Sequence, residues 1–212
     1  MYEIIPGILE KEWGEIEKKI ELVKPFAKTI HIDIIDGKFA PNTTFLDPAP
    51  FKRYASDLFF ELHMMVEEPI QYLKPWADAG FKRFLGHVEK MSNQAEFIAQ
   101  GQMLGEVGLA VDGPTPVDAI NVPLDDLDAI LVMTIKAGLS GQEFMPEHLE
   151  KVKMFHEKTW VPIGVDGGIS DKTINEASES GATRFISTSF LFKGGNPKDQ
   201  SDTLQKLLTP NS

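Results

Sequence analysis

Hydrophobic and polar positions along this chain follow two alternating patterns, one typical of strands and one typical of helices. Short apolar runs are followed by longer stretches in which apolar residues recur at helical spacing. In residues 11–26, for example, Trp13, Ile16 and Ile20 recur among Glu and Lys, which predicts a helix with one buried face. The exchange of patterns continues to about residue 207, and it predicts an architecture of repeated strands and helices.

Eight strand–helix units account for the pattern. The apolar runs predict strands at 3–9, 29–35, 58–66, 83–88, 107–111, 129–133, 161–165 and 184–187. Helices are predicted between them at 11–26, 49–55, 69–79, 94–102, 117–120, 146–158 and 171–180, and a weak last helix ends near residue 208.

Two α/β architectures accommodate such units, a (β/α)8 barrel and a doubly wound open sheet. Repetition without a symmetric break favours the barrel. We therefore predict the fold class α/β, with residues 1–212 forming one (β/α)8 TIM barrel as a single domain. The chain after Lys193 is polar and is expected to pack loosely, with a polar, loosely packed tail after about residue 208.

Composition and charge exclude several classes of function. The net charge is −11 and no Lys/Arg cluster offsets it, so we expect no nucleic-acid partner. No apolar run approaches the length of a membrane span, and the first residues lack the features of a secretory signal. The absence of cysteine excludes disulfides and thiolate metal sites and fits a cytoplasmic protein. An anionic ligand would need positive potential from a metal ion or from backbone N–H groups.

The second predicted strand carries polar chemistry on one face only. Ile30, Ile32 and Ile34 fall on one side of the strand, and His31 and Asp33 fall on the other. The run ends at an Asp-Gly turn pair, so the imidazole and the carboxylate lie near the carboxyl end of the strand. In α/β folds, active sites are assembled at that end.

Two further predicted strands also carry a histidine or an aspartate toward their carboxyl ends. His63 lies in the third strand in phase with Glu61, and Asp166 ends the seventh strand before two glycines. Taken singly, the histidine is more often a hydrogen-bonded core residue, and the aspartate is more often part of a turn. In a barrel, four side chains would converge at one end, and such a set suits Zn²⁺, Mn²⁺ or Fe²⁺ with positions left open for substrate: His31, Asp33, His63 and Asp166.

Several ordered segments, these residues included, resemble the ribulose-phosphate 3-epimerase family over almost the whole chain. The segments are HIDIIDGKFAPN (31–42), ELHMMV (61–66), GHVE (86–89), VM (132–133), GLSGQ (138–142) and VDGGI (165–169). The segment STSFLF (187–192) is similar to the last phosphate loop of the family.

The resemblance implies an isomerase of carbohydrate metabolism, in the pentose-phosphate pathway, that interconverts D-ribulose 5-phosphate and D-xylulose 5-phosphate by inversion at C3. One divalent ion, Zn²⁺ first and Mn²⁺ or Fe²⁺ as alternatives, would be held by the four residues above and would stabilise an enediolate as a Lewis acid. Asp33 and Asp166 would be the catalytic pair on opposite faces of that enediolate. The family is often dimeric or hexameric, which implies a homo-oligomer.

The resemblance also implies a pocket for a sugar phosphate. Met65 and Met133 would form its dry wall, although both could equally be core filler. Backbone N–H groups in the loops after strands six to eight would bind the phosphate. The implied substrate-binding residues are His63, Met65, Met133, Gly138, Gly141, Gln142, Gly167, Gly168, Thr188 and Ser189.

Some positions depart from the family pattern. The usual Ser of the first strand is Gly7, a usual Met of the second strand is Ile35, the loop at 137–142 carries Ser140, and the Gly-Ser pair of the last loop is Thr188-Ser189. None of these changes removes a proposed ligand or acid. They leave two alternatives open: a 3-epimerase of a hexulose phosphate such as D-allulose 6-phosphate, since Gly7 enlarges the pocket, or a non-catalytic sugar-phosphate-binding barrel.

The remaining histidines have ordinary interpretations. His87 either has a structural role or contacts the substrate. His148 and His156 follow the sixth strand and are interpreted as surface or packing residues.

Overall fold

The strands of this computed structural model, which describes residues 2–138 and 141–209, close into a barrel. They are β1 Glu3–Ile8, β2 Thr29–Ile35, β3 Phe59–Met65, β4 Phe81–His87, β5 Glu106–Val111, β6 Ala129–Met133, β7 Ile163–Asp166 and β8 Arg184–Ser187. Each strand pairs in parallel with the next along the chain, and β1 also pairs with β8. The predicted (β/α)8 TIM barrel is confirmed, and the open sheet is excluded.

Helices cover the outside of this barrel. The α-helices are α1 Trp13–Val23, α2 Ile70–Asp78, α3 Gln94–Gln102, α4 Leu149–His156, α5 Ile174–Glu179, α6 Ser189–Lys193 and α7 Pro197–Leu208. Shorter 3₁₀ helices lie at Ala49–Tyr54, Val88–Lys90, Val117–Ala119, Leu124–Asp126 and Pro146–His148. In the described residues, no helix is both long enough and apolar enough to cross a membrane.

The main core lies between the strands and the helices. Phe51 of the 3₁₀ helix at Ala49–Tyr54 packs at ring-centroid distances of 5.2–5.6 Å from Phe60, Trp76 and Phe81, so one aromatic cluster fixes this helix against β3, α2 and β4. Helices bury the outer face of each strand while the barrel interior buries the other face. For this reason, the strands are apolar runs in the sequence.

The barrel interior is filled in layers. A middle layer is apolar and consists of Ile5, Leu85, Ala110, Ala129, Leu131 and Ile186. Below it, near the amino ends of the strands, charged side chains pair with one another, both between neighbouring strands and across the barrel interior. They are Glu3, Glu61, Arg83, Glu106 and Arg184, and we call this set the charged floor. Because both layers are occupied, the interior is a packed core, and the cavity that the described residues form lies at the carboxyl ends of the strands.

The end of the chain differs from its prediction. We expected loose packing after Lys193, but α7 is an amphipathic helix whose Leu204 and Leu208 are buried. The Asn196 side chain caps it by accepting a hydrogen bond from the Lys198 backbone N–H, and Pro197 occupies the first turn. The prediction of loose packing from Lys193 to residue 208 was therefore wrong. Of the tail predicted beyond 208, residues 210–212 lie outside the described residues.

Candidate metal centre and active site

The four predicted ligands converge at the carboxyl end of the barrel. His31 and Asp33 lie on β2, His63 lies on β3, and Asp166 ends β7. One ligand atom of each residue lies within 4.8 Å of the ligand atoms of the others, and all four residues are buried. Strand alternation brings the first two side chains to the inner face, and barrel closure brings the other strands to them.

Glu61 of the charged floor fixes the orientation of His31. Its Oε1 lies 2.7 Å from His31 Nδ1, and its Oε2 accepts hydrogen bonds from Arg83 and Arg184. Burial would raise the pKa of Glu61, but Arg184 and the other partners hold it well below its usual range. An ionised Glu61 places the ring proton of His31 on Nδ1, because a carboxylate can only accept. The lone pair of His31 is therefore on Nε2.

His31 Nε2 faces the two candidate acids. It lies 3.3 Å from Asp33 Oδ1 and 3.8 Å from Asp166 Oδ2. The atom is buried and has no hydrogen-bond partner among the described residues. In neutral His31 the buried lone pair on Nε2 faces two carboxylates, an arrangement that a cation between them would satisfy.

His63 is oriented by a relay through His87. Its Nε2 lies 2.9 Å from His87 Nε2, and His87 Nδ1 lies 2.8 Å from Glu89 Oε2. Burial would raise the pKa of Glu89, but its hydrogen bond with His87 lowers it to about 2. The ionised Glu89 accepts from His87 Nδ1, so His87 Nε2 accepts from His63 Nε2–H. His63 Nδ1 then carries the lone pair, 2.8 Å from Asp33 Oδ1 and 3.4 Å from Asp166 Oδ2.

Electrostatics at the centre favour a positive charge among these groups. Burial opposes charge on His31, but Asp33 outweighs burial and raises the pKa of His31 to about 10. In return, burial would raise the pKa of Asp33, and His31 outweighs it and lowers that pKa to about 2. Without a metal, a proton on His31 supplies this charge. A divalent cation of the Zn²⁺, Mn²⁺ or Fe²⁺ class, bound by two imidazole nitrogens and two carboxylates, would replace that proton.

A cavity of about 400 Å³ opens above these residues, and Asp33 and Asp166 form part of its lining. His63 is fully buried and does not line it. The other residues predicted to bind substrate all line the cavity: Met65, Met133, Gly138, Gly141, Gln142, Gly167, Gly168, Thr188 and Ser189. Their roles stay predictions, but the fold brings them together. Leu139 and Ser140 of the same loop lie outside the described residues.

One side of the cavity is apolar. Met65 and Met133 belong to a buried cluster with Ile35, Ile135 and Ala137. Ile35, at a position where the family usually has Met, is part of this wall and keeps it apolar. Such a wall excludes water from the cavity beside it.

The other side of the cavity is built from glycine-rich loops. Gly167 and Gly168 have φ values of 116° and 70°, and a Cβ on Gly168 would lie 2.9 Å from Phe144 Cβ. Only glycine fits this backbone path without strain, and it brings the backbone of both residues to the cavity lining. Lys193 Nζ and Ser189 Oγ each lie 3.5 Å from the position of a Cβ built on Gly141.

Sequence reasoning missed the residues that support the predicted ones. Lys193 is the one Lys or Arg among the described residues that line the cavity, and its position four residues after Ser189 was an available signal. Glu61 was seen to be in phase with His63, but the register of β2 against β3 was needed to place it on His31. His87 orients His63. His148 is buried and its Nδ1 lies 3.0 Å from the Met133 carbonyl oxygen, which agrees with a packing role.

Comparison with known proteins gives consistent matches. The model of the Ribulose-phosphate 3 epimerase family matches residues 3–192. The ribulose-phosphate 3-epimerase of Schizosaccharomyces pombe is 34% identical over 204 residues, with 92% of this chain and 89% of that protein covered. The cytoplasmic isoform of ribulose-phosphate 3-epimerase from Oryza sativa subsp. japonica is 32% identical over 212 residues, with 96% of this chain and 92% of that protein covered.

Solved structures share the architecture at lower identity. The 3-keto-L-gulonate-6-phosphate decarboxylase from Vibrio cholerae superposes with a TM-score of 0.75 over 98% of both chains, at 13% identity. At this identity, the likeness shows a shared barrel fold alone.

Proposed function

The chain belongs to the ribulose-phosphate 3-epimerase family, and from this premise we propose that it interconverts D-ribulose 5-phosphate and D-xylulose 5-phosphate by inverting C3. The observation that carries the proposal is the convergence of two carboxylates and two imidazoles beside a cavity with one apolar side and one glycine-rich side. The apolar side suits the chemistry at C3, and the glycine-rich side suits an anion.

Inversion needs a proton acceptor on one face of the sugar and a proton donor on the other. A single base that returned its proton to the same face would regenerate the starting sugar. We assign the two roles to Asp33 and Asp166, which both line the cavity. One carboxylate accepts the C3 proton, which leaves a planar enediolate, and the other, as a carboxylic acid, gives its proton to the opposite face of C3. The reverse reaction exchanges the roles.

A divalent cation, Zn²⁺ or else Mn²⁺ or Fe²⁺, would be held by His31, Asp33, His63 and Asp166, and as a Lewis acid it would stabilise the negative charge that develops on sugar oxygens. Hydrogen bonds from neighbouring residues direct the metal-binding nitrogen of both histidines toward the site. Glu61 does this for His31, and the Glu89–His87 pair does it for His63. The apolar wall with Met65 and Met133 would exclude water from the reacting groups.

The phosphate group of the substrate would lie at the glycine-rich side. Backbone N–H groups of Gly141, Gly168, Thr188 and Ser189 would donate to its oxygens, and the Lys193 ammonium group would add positive charge. An acidic protein with a net charge of −11 has to provide such attraction locally. We also propose a cytoplasmic location and a homo-oligomer, either a dimer or a hexamer. The absence of cysteine and the name of the rice relative support the location.

Two alternatives rank below this proposal. The hexulose phosphate alternative assumed that Gly7 enlarges the pocket, but a Cβ on Gly7 would lie 2.4 Å from Thr188 Oγ1, so that space is already used. A non-catalytic sugar-phosphate-binding barrel would need no pair of acids beside two inward-directed imidazoles.

The direct test is NMR of D-ribulose 5-phosphate in D₂O with the protein, before chelation, after chelation and after metal restoration. We expect xylulose 5-phosphate with deuterium at C3, and only when metal is present. Asp166→Asn should keep the fold and lower turnover by about 10²–10⁴-fold, because an amide cannot transfer the proton. Asp118→Asn is the matched control, since Asp118 is exposed and does not line the cavity.

Each other outcome has a definite meaning. Near wild-type turnover of Asp166→Asn would refute its acid/base role. Faster turnover of D-allulose 6-phosphate would establish the hexulose alternative, and no reaction with either sugar at any metal loading would favour the binding protein.

A further inference from the structure

Gly7 occupies an inward position of β1 beside the metal centre. It lies in phase with Ile5 of the middle layer and with Leu9, which lines the cavity. On one side it pairs with the ligand candidate His31 of β2. On the other side, β1 pairs with β8 in a register that places Pro6 opposite Ser187, and Gly7 is therefore next to Thr188.

The side chain of Thr188 occupies the space that Gly7 leaves open. A Cβ built on Gly7 would lie 2.4 Å from Thr188 Oγ1 and 2.9 Å from Ile186 Cγ2. Side-chain atoms do not approach so closely, so any larger residue at position 7 would displace the threonine hydroxyl. Side chains at positions 7 and 188 would therefore compete for the same space, and in this chain the side chain of Thr188 occupies it.

The Thr188 hydroxyl is available to a ligand. Thr188 is half-buried and lines the cavity. Within residues 2–138 and 141–209, its Oγ1 makes no side-chain hydrogen bond. A hydroxyl group offers one donor and two acceptor lone pairs, and beside a cavity these are matched by water or by a ligand.

We propose that the Thr188 hydroxyl hydrogen-bonds a sugar oxygen of the ketose phosphate and helps to determine substrate specificity, and that Gly7 is required to admit it. The inference rests on the proposed function. Gly7 and Thr188 both depart from the family pattern, and the proposal explains them together. The family usually carries a hydroxyl on β1, and in this chain Thr188 supplies a hydroxyl from the end of β8. The contact is with the sugar rather than the phosphate, since the hydroxyl lies over Gly7, which pairs with His31.

The test measures kcat/KM for D-ribulose 5-phosphate with the metal-loaded protein. Thr188→Val keeps the shape of the side chain and removes the hydroxyl, and we expect a loss of about 10-fold. Thr188→Ser should retain most of the wild-type value. Thr203→Val is the matched control, because Thr203 is an exposed threonine on α7. Inhibition by inorganic phosphate should be unchanged in Thr188→Val, because the lost contact is with the sugar.

The shared volume is tested by a double-mutant cycle. Gly7→Ser alone should lose more than 10-fold, because the new side chain conflicts with Thr188, and Gly7→Ser/Thr188→Gly should recover most of that loss. Melting curves show whether each variant is folded.

Four results would count against the inference. Unchanged kcat/KM in Thr188→Val, or no recovery in the double variant, would overturn it while the proposed function stands. Equal loss of phosphate inhibition in Thr188→Val would also overturn it, because the contact would then be with the phosphate. An inactive wild-type protein would overturn the proposed function and this inference together.

Discussion

The two ligand histidines are held by different partners, and the difference has consequences at the level of single residues. His31 depends directly on a carboxylate of the charged floor, whereas His63 depends on a second imidazole. Such outer partners set the tautomer and the ring orientation of a metal-binding histidine. Of these partners, Glu61 is the easier one to test by mutation, because its single side chain contacts both His31 and two arginines.

Glu61→Gln should weaken metal binding by about 10–100-fold. An amide presents one acceptor and one donor end, so it cannot accept both from His31 and from the arginines. Loss of the Glu61 charge beside buried Arg184 should also lower the free energy of unfolding by about 3–5 kcal/mol, although Arg184 keeps its contact with Glu3. Metal affinity is measured by competition with a fluorescent chelator below the melting temperature.

The matched control for this substitution is Glu106→Gln. Glu106 also accepts from Arg83, but it is partly exposed and does not touch His31. We expect its metal affinity to equal that of the wild-type protein. Equal affinities for Glu61→Gln and the wild type would show that Glu61 does not position His31.

At the residue scale, sequence reasoning reached the ligands but not their partners. Period-two alternation is a property of one strand, so His31, Asp33 and His63 could be placed on an inner face without a structure. The contacts of Glu61 with His31 and of His87 with His63 depend on register between strands and on rotamers. Neither is encoded in local spacing, and Lys193 was missed because its approach to Gly141 depends on how α6 lies beside the loop after β6.

At the scale of elements, Tyr54 ties the 3₁₀ helix at Ala49–Tyr54 to α1. Its hydroxyl donates to Glu21 Oε1 at 2.9 Å, and Glu17 Oε1 lies 3.2 Å away. Burial and the hydrogen bond to Glu21 raise the pKa of Tyr54 to about 12. A pKa raised on folding means that the protonated hydroxyl stabilises the fold fully below pH 10 and that this contribution is lost as pH rises through about 12.

Tyr54→Phe should therefore lower the free energy of unfolding by about 1 kcal/mol at pH 8, and the difference from the wild type should shrink as pH approaches 12. Urea unfolding at several pH values measures this. Tyr2→Phe is the control, because Tyr2 is exposed and makes no such bond in the described part of the chain. A difference that stays constant from pH 8 to pH 12 would mean that the Tyr54 hydroxyl does not titrate as expected.

Elements of different kinds were predictable to different degrees. The predicted strands begin and end within two residues of the observed ones, because strands buried on both faces form apolar runs. The connections at 49–55 and 117–120 are 3₁₀ helices, and prolines lie within or directly before them. The packing of α7 was not predicted because the helix has few apolar residues. Only its contacts with the barrel show that these residues are buried.

At the scale of the whole molecule, metal binding should be linked to global stability. The ligands come from β2, β3 and β7, so a bound cation joins strands that are distant in sequence and exists only in the folded state. Metal at about 100 times its dissociation constant should add about 2.7 kcal/mol to the free energy of unfolding. For a chain of this size, that is a rise of about 5–10 °C in melting temperature.

Differential scanning fluorimetry with Zn²⁺ and Mn²⁺, before and after chelation, measures the shift. His31→Gln should abolish most of it, and His156→Gln, at an exposed position, should not. A shift that survives in His31→Gln would place the stabilising ion elsewhere on the protein.

The closed barrel was predictable from the number and kind of elements, and the charged floor was not. Eight strand–helix units leave few architectures open. The partners in the floor are separated by up to 181 residues, as in the contact of Arg184 with Glu3, and no local pattern connects them.

The pairing of β1 with β8 makes the site depend on two segments that are synthesised at different times. Gly7 is made well before Arg184 and Thr188. Until they emerge, β1 has an open edge, Glu61 lacks one of its arginines, and Thr188 is missing from the cavity. A nascent or prematurely terminated polypeptide would therefore be unable to assemble the finished pocket, and any activity would begin only after the two ends of the sheet have met.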